Sequence, residues 1–335
     1  MVGRVSRWVW LVAAIAVALA FPVLLGGQDM LGRLRSFPLP TLAALFGLIC
    51  LCWMVNAWRL RLLLGEDARQ LGGARSIGVV MATEFAICAT PGGSGGPLTL
   101  MALLHRNGVR PAKSSAVFAM DQLSDLLFFL CALFGIIGYA LFHNLSDRLE
   151  WMLIASAMLL SGLLGSCWAI AHNHRRVIAL SGRFWARMGV SHHRRWRWAR
   201  RTLHFVAAFG ETFRMPRCQL AQVFALTCLH WGLRYSVLYF VLEGLGAHLQ
   251  WAWSFLIQMV SMSAGQFSLL PGGAGAAELT SAALLAPIVG KSTAAAAILI
   301  WRMVTYYFYL LAGGPVFLVL VGKPLLKRLM RFRQA

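Results

Sequence analysis

Asp121 and Asp125 lie four residues apart in VFAMDQLSDLLFFL, a stretch that is otherwise almost wholly apolar. At helical spacing the two carboxylates share one face, a placement suited to holding an amine or carrying a proton. His230 and Arg234 form another i, i+4 pair within a long apolar run, and Arg302 sits inside the last such run. Glu84 precedes one glycine-rich turn, and Glu278 follows a second. Charge is costly in hydrocarbon, so each of these residues is a candidate for function. One reading is a polar groove, with Arg302 and Arg234 facing a phosphate and with Asp121, Asp125 and Glu278 facing an amine or a proton. The other is a set of buried ion pairs, such as Asp121 or Asp125 with Arg302, that holds two parts of the chain together. Glu84 is expected to serve packing or hydrogen bonding.

The two glycine-rich turns are PGGSGGP, beginning at Pro91, and PGGAG, Pro271 to Gly275. Sliding residues 91–130 by 180 positions onto 271–310 matches ten of forty without a gap, and the shared PGGxG core supplies the signal. Each copy precedes a long apolar span that carries charge.

The elements that position these groups are membrane helices. With 59% apolar and 13% charged residues over 335 positions, the chain cannot hide its apolar content in one water-soluble core. Spans of about 20 apolar residues are read at 8–25, 39–58, 112–142, 151–171, 218–243 and 291–322, six complete crossings. Arg4 and Arg7 ahead of an apolar run ending Ala18, Leu19 and Ala20 also fit a secretory signal. The length of that run and the spans that follow favour an uncleaved first helix. With both termini in the cytoplasm, 25 of the 31 Lys and Arg residues fall on the cytoplasmic side, and only Arg33, Arg35, Arg148 and Lys291 fall outside. The counted cytoplasmic runs include residues 59–75, 106–113 and 175–217.

That topology requires the segment between residues 75 and 106 to enter and leave on one side, as a hairpin turning at PGGSGGP. The segment 251–290 must do the same from the opposite side. Two broken hairpins of opposite direction, each followed by a long span, are the signature of an inverted repeat around a midplane site. Repeat one covers about 76–142 and repeat two about 251–322, within one membrane domain of 1–335. Non-helical backbone at this depth is tolerated only where protein buries it or water lines it. Gly92, Gly93, Gly95 and Gly96 are therefore expected at a polar cavity, with Pro91 ending the incoming half-helix. The outgoing half-helix is expected to start near Leu98 or Thr99, its N-terminal amides free to hold a phosphate. A tight turn between packed helices is the alternative.

TPGGSGGPLTLMALLHRNGVRPAKSSAVFAMDQLSDLL, SLLPGGAGAAELTSAALL and WRMVTYYF together resemble the transmembrane family named after lysylphosphatidylglycerol synthase. The resemblance runs from about residue 40 onward and implies a multi-helix inner-membrane protein that moves or handles lipids, of the flippase-like kind. The lipids it implies are aminoacylated phosphatidylglycerol and isoprenoid lipids, and the expected lipid partner is an anionic phospholipid or an isoprenoid lipid. Carried over residue by residue, it points to Pro91, Gly92, Gly93, Gly95, Gly96, Asp121, Asp125, Pro271, Gly272, Gly273, Gly275, Glu278 and Arg302. Relatives often place an acidic residue directly after the first glycine run, where this chain has Pro97 and Leu98. The cytoplasmic aminoacyl-transfer domain of the bifunctional relatives is not expected, so synthase activity is not implied; the alternatives to lipid transport are a membrane-embedded enzyme acting on a lipid phosphate and a scaffold for lipid-synthesising enzymes.

The remaining clusters have plainer explanations. Seven cysteines lie in or beside apolar segments as small hydrophobes, and neither they nor His172, His174, His192, His193 and His204 complete a metal site. No cofactor is expected. The formal charge of +20 invites a nucleic-acid reading, but the basic residues flank spans rather than forming a soluble domain. In the loop 172–217, Arg alternates with Trp, Phe and Leu, the composition of amphipathic helices at a membrane surface, where each Arg near anionic lipid contributes roughly 1 kcal/mol. The expectation is an all-α membrane protein of the bacterial cytoplasmic membrane with lipids as partners. A homodimer or a complex with lipid-synthesising enzymes stays open.

Overall fold

The computed structural model describes residues 2–142, 215–266, 268 and 270–322, with a few single residues between 158 and 210. Nearly all of the expected span at 151–171 and of the basic loop 172–217, and the basic run after residue 322, lie outside the described residues. Every regular element among the described residues is a helix. Three of them, Leu39–Leu71, Pro111–Gly138 and Lys291–Gly322, are long and apolar enough to cross a bilayer. The chain is a multi-pass membrane protein.

Ten helices matter for the site: α1 (Val2–Ser36), α2 (Leu39–Leu64), α3 (Gly73–Cys88), α4 (Gly95–Arg106), α5 (Pro111–Phe142), α6 (Arg217–Tyr235), α7 (Val237–Gly244), α8 (Trp251–Gln266), α9 (Ala276–Val289) and α10 (Lys291–Gly322). The expected first span is longer than its apolar run and is broken at Gly27, whose φ of 58° and ψ of −152° no helix contains. The expected span 218–243 is two helices, α6 and α7, meeting at Ser236, which turns its hydroxyl back onto the Gly232 carbonyl at 2.7 Å. α10 holds two π-helical stretches, Met303–Tyr307 and Leu318–Gly322, the first of them directly after Arg302.

Two units separate by their internal contacts, one formed by residues 1–58, 72–103 and 229–335, the other by 59–71 and 104–228. In the first unit α10 is the hub, packing against α1, α3, α7 and α9, while α8 lies along α9. Small residues make this possible. Ala294, Ala295, Ala296 and Ala297 are fully buried, and a Cβ on Gly26 of α1 would come within 2.6 Å of the Ala295 Cβ. Without a hydrophobic drive between helices in lipid, such close backbone approach supplies the dispersion contact that holds them. In the second unit, Leu60, Leu63 and Leu64 share one buried face of the end of α2, and Gln219 of α6 donates to the Leu62 carbonyl at 3.0 Å.

Candidate functional site

Both PGG turns break their helices, and they break them in the same way. Gly93 and Gly273 amides donate to the carbonyls of Thr90 and Leu270 at 3.2 Å each, and Ser94 and Ala274 amides to those of Pro91 and Pro271 at 3.3 Å each. Gly92 and Gly93 have φ of 56° and 68°, Gly272 and Gly273 of 65° and 69°, the left-handed region that costs an L side chain roughly 1–2 kcal/mol per residue. The turns also meet each other. Pro91 and Pro271 form an isolated antiparallel bridge. Proline has no N–H, so the bridge must use amides of neighbouring residues, the closely spaced kind with Cα atoms about 4.5 Å apart.

The surroundings of the two turns differ. Pro91, Gly92 and Ser94 are exposed, whereas Pro271, Gly273 and Ala274 are buried. A Cβ on Gly273 would strike the Gly265 backbone of α8 at 2.7 Å, while one on Gly92 would meet only the Gln266 carbonyl at 3.7 Å. The outgoing half-helix of the first hairpin begins at Gly95, not at the expected Leu98 or Thr99. Gly95 and Gly96 are therefore helical, and they face the preceding half-helix: added Cβ atoms would strike Thr90 and the Ala86 carbonyl from Gly95, and Ile87 from Gly96. Packing of one half-helix against the next accounts for these two glycines.

One amide at the start of each half-helix is already engaged by a side chain. The Gly95 amide donates to Thr90 Oγ1 at 2.8 Å, and Thr90 in turn donates to the Ala86 carbonyl at 2.6 Å. In the second hairpin the Gly275 amide donates to Glu278 Oε2 at 2.7 Å. The chain thus supplies its own anion at the start of α9, where a carboxylate is favoured by the helix dipole. Leu98, which aligns with Glu278, is exposed and cannot do this for α4.

Glu278 also holds Arg302. Arg302 Nε lies 2.5 Å from Glu278 Oε1 with both side chains buried, its Nη2 donates to the Gly272 carbonyl at 3.0 Å, and its guanidinium stands 4.8 Å from the Tyr306 ring centroid. The Tyr306 hydroxyl reaches the Pro271 carbonyl at 3.4 Å. Arg302 and Glu278 therefore lash α10 to the second turn. In the same unit, Arg234 Nη1 pairs with Glu84 Oε2 at 3.3 Å and lies over the Tyr309 ring at 4.8 Å. His230, one turn earlier, contacts the Cys52 carbonyl through Nδ1 at 3.3 Å.

The second unit contains a separate charge cluster. Arg59 places Nη2 2.6 Å from Asp121 Oδ1 and Nη1 2.5 Å from Asp125 Oδ1, and Nη1 donates to Thr227 Oγ1 at 3.1 Å. Ser124 Oγ and Thr227 Oγ1 are 2.8 Å apart. One guanidinium thus serves two carboxylates.

Two expectations are corrected by these distances. Arg302 pairs with Glu278 and not with Asp121 or Asp125, because the partner lies next to the turn that Arg302 also holds. Arg59, counted as a cytoplasmic loop residue, is a helical residue 2% exposed; the leucines after it continue α2 to Leu64. Removing it from the cytoplasmic count leaves the charge asymmetry intact. Thr90, Thr227, Trp53 and Tyr309 were not legible as site residues at all. Their only signal was polar character within or beside apolar helices.

A family profile described as "Lysylphosphatidylglycerol synthase TM region" matches residues 10–313. A UPF0104 membrane protein of Archaeoglobus fulgidus is 20% identical over 267 residues, 78% of this chain and 81% of that protein. A second UPF0104 membrane protein, from Pyrococcus horikoshii, is 29% identical over 125 residues, 36% of this chain and 37% of its own.

Proposed function

This chain belongs to the lysylphosphatidylglycerol synthase transmembrane-region family, and from that premise we propose that it moves a lipid or a lipid-linked headgroup across the membrane by alternating access. The site proposed for the cargo is the pair of PGG turns with the residues around them, Arg234 and Arg302 on the phosphate side and Glu278 on the amine or proton side. Asp121 and Asp125 are proposed to hold an amine or carry a proton within their own unit.

The observation that carries this reading is the Pro91–Pro271 bridge. Two helices broken at matching motifs, with matching turn hydrogen bonds, touch at their breaks, as the halves of an inverted repeat do at a midplane binding site. The charge asymmetry supports opposite directions for the two hairpins, six complete crossings and cytoplasmic termini in a bacterial inner membrane. Ion pairs such as Glu84–Arg234 hold this conformation, and in transport they would open to the cargo and close again.

Reconstitution tests it. Vesicles carrying the purified protein and a fluorescent phospholipid in both leaflets are quenched from outside with dithionite. Loss of the protected inner-leaflet signal is expected with the wild-type protein, and retention of it with inserted, folded Arg302→Ala and Gly93→Leu variants. Wild-type rates from both variants, or no movement of any phospholipid headgroup by the wild type, would reject the proposal.

A further inference from the structure

The two ion pairs of the first unit are built differently. Glu278 and Arg302 are 0% and 1% exposed at 2.5 Å; Glu84 and Arg234 retain 10% and 13% exposure and meet through a single contact at 3.3 Å. Arg302 is committed to a carboxylate and a carbonyl. Arg234 directs one nitrogen to Glu84 and keeps the rest of a five-donor fork in reserve.

Beside Arg234 stands Tyr309, and against Tyr309 stands Trp53, two further donors in an unfavourable place. Trp53 Nε1 and Tyr309 Oη are buried and find no hydrogen-bond partner among the described residues. Their rings meet edge to face at 5.4 Å, Trp53 stacks on Phe308 at 5.3 Å, and the Arg234 guanidinium carbon is 4.8 Å from the Tyr309 centroid. Trp53 lies near the middle of α2 and Tyr309 near the middle of α10, so the cluster sits at mid-membrane depth. Buried donors without acceptors are unfavourable. Two of them beside an arginine with spare N–H groups form the complement of an oxygen-rich anion.

Charge balance narrows the ligand. Glu84 and Arg234 cancel, so a bare anion drawn onto Arg234 would leave Glu84 charged, buried and unmatched. A neutral headgroup with one phosphodiester and one ammonium satisfies both. We infer that the Glu84–Arg234 pair is a headgroup site for a zwitterionic phosphodiester, with the phosphate on Arg234, Tyr309 and Trp53 and the ammonium on Glu84. This rests on the lipid-moving reading and adds the chemical class of the cargo and the arginine that receives it.

The test is calorimetric titration of the full-length protein in detergent with three probes: dihexanoyl phosphatidylethanolamine, dihexanoyl phosphatidylglycerol, which has the phosphate without the ammonium, and glycerophosphoethanolamine, which has the headgroup without chains. The ethanolamine lipid is expected to bind about tenfold more tightly than the glycerol lipid, since one charge-assisted hydrogen bond is worth about that factor. Tyr309→Phe and Trp53→Phe should each weaken both lipids about tenfold, and Glu84→Gln should erase the difference between them. Binding of glycerophosphoethanolamine assigns recognition to the headgroup alone; binding of the lipid without it assigns recognition to the chain-bearing molecule. Equal wild-type affinities for the two lipids overturn the zwitterion, and unchanged binding by Tyr309→Phe and Trp53→Phe of wild-type melting temperature overturns the site. Should Glu84→Gln fail to fold, the two conservative aromatic variants still decide. A protein that binds as expected but moves no lipid keeps this site and loses the transport reading; one that moves lipid with binding insensitive to Tyr309 and Trp53 does the reverse.

Discussion

Truncating Glu278 to alanine removes two interactions at once: the acceptor at the start of α9, where the Gly275 amide lies 2.7 Å away, and the counter-charge of Arg302 at 2.5 Å. Breaking a buried pair by deleting one partner costs about 3–5 kcal/mol, and losing an N-terminal cap costs about 1 kcal/mol. Two features reduce the sum. Arg302 keeps the Gly272 carbonyl and the Tyr306 face, and polar contacts in bilayers measure weaker, about 0.6 kcal/mol on average, because the unfolded reference also finds partners. A net loss of about 3 kcal/mol is expected for Glu278→Ala. Glu278→Gln keeps the shape and the cap acceptor and should lose less. The double variant Glu278→Gln/Arg302→Met removes both charges and should recover much of the stability lost by Glu278→Gln alone. Equilibrium unfolding of the purified protein against rising SDS fraction in mixed micelles measures all three. A Glu278→Ala protein within about 0.5 kcal/mol of wild type would refute the claim that this pair lashes α10 to the second turn.

Further expectations follow from single contacts. Gly273→Ala, which combines a φ of 69° with a clash against the Gly265 backbone, should destabilise by more than about 2 kcal/mol in the same assay, whereas Gly92→Ala carries only the backbone term of about 1 kcal/mol. Thr90→Val, which removes the acceptor for the Gly95 amide, should cost about 1 kcal/mol without altering helix content by circular dichroism. Arg59→Leu removes the guanidinium that both Asp121 and Asp125 contact, so it should lower the melting temperature more than Asp121→Asn, which keeps the Arg59–Asp125 contact. Equal melting temperatures for the two would argue against a shared guanidinium.

Much of the architecture could be read from the chain because apolar run length and charge placement are local properties. The spans beginning near residues 39, 112 and 291, and both breaks at PGG, needed nothing more than composition and the proline and glycine positions. Helix ends were harder. α2 runs past Trp58 because Leu60, Leu63 and Leu64 share a buried face, and stopping at the first arginine placed Arg59 in a loop. α4 starts at Gly95 because two glycines let it lie against Ile87 and Thr90, a packing demand that propensity alone does not show. Which charges would meet was outside the reach of sequence, since Arg302 and Glu278 are 24 residues apart and Arg59 and Asp125 are 66 apart. The sequence offered Asp121 or Asp125 as the partner of Arg302, but the pair is made instead by Glu278, the residue that caps the neighbouring turn.

If lipid passes between the two turns, then the bridge joining Pro91 to Pro271 has to open in each cycle. Pro91→Cys/Pro271→Cys, placed in a background with the seven native cysteines replaced, puts two thiols at a Cα spacing of about 4.5 Å, within the 4.4–6.8 Å that a disulfide spans. Mild oxidation of this variant in vesicles is expected to form the bond and stop lipid movement, and dithiothreitol to restore it. Movement at the reduced rate constant while the bond is intact, or failure of the two thiols to join, would contradict the picture of two turns that meet and part around the cargo.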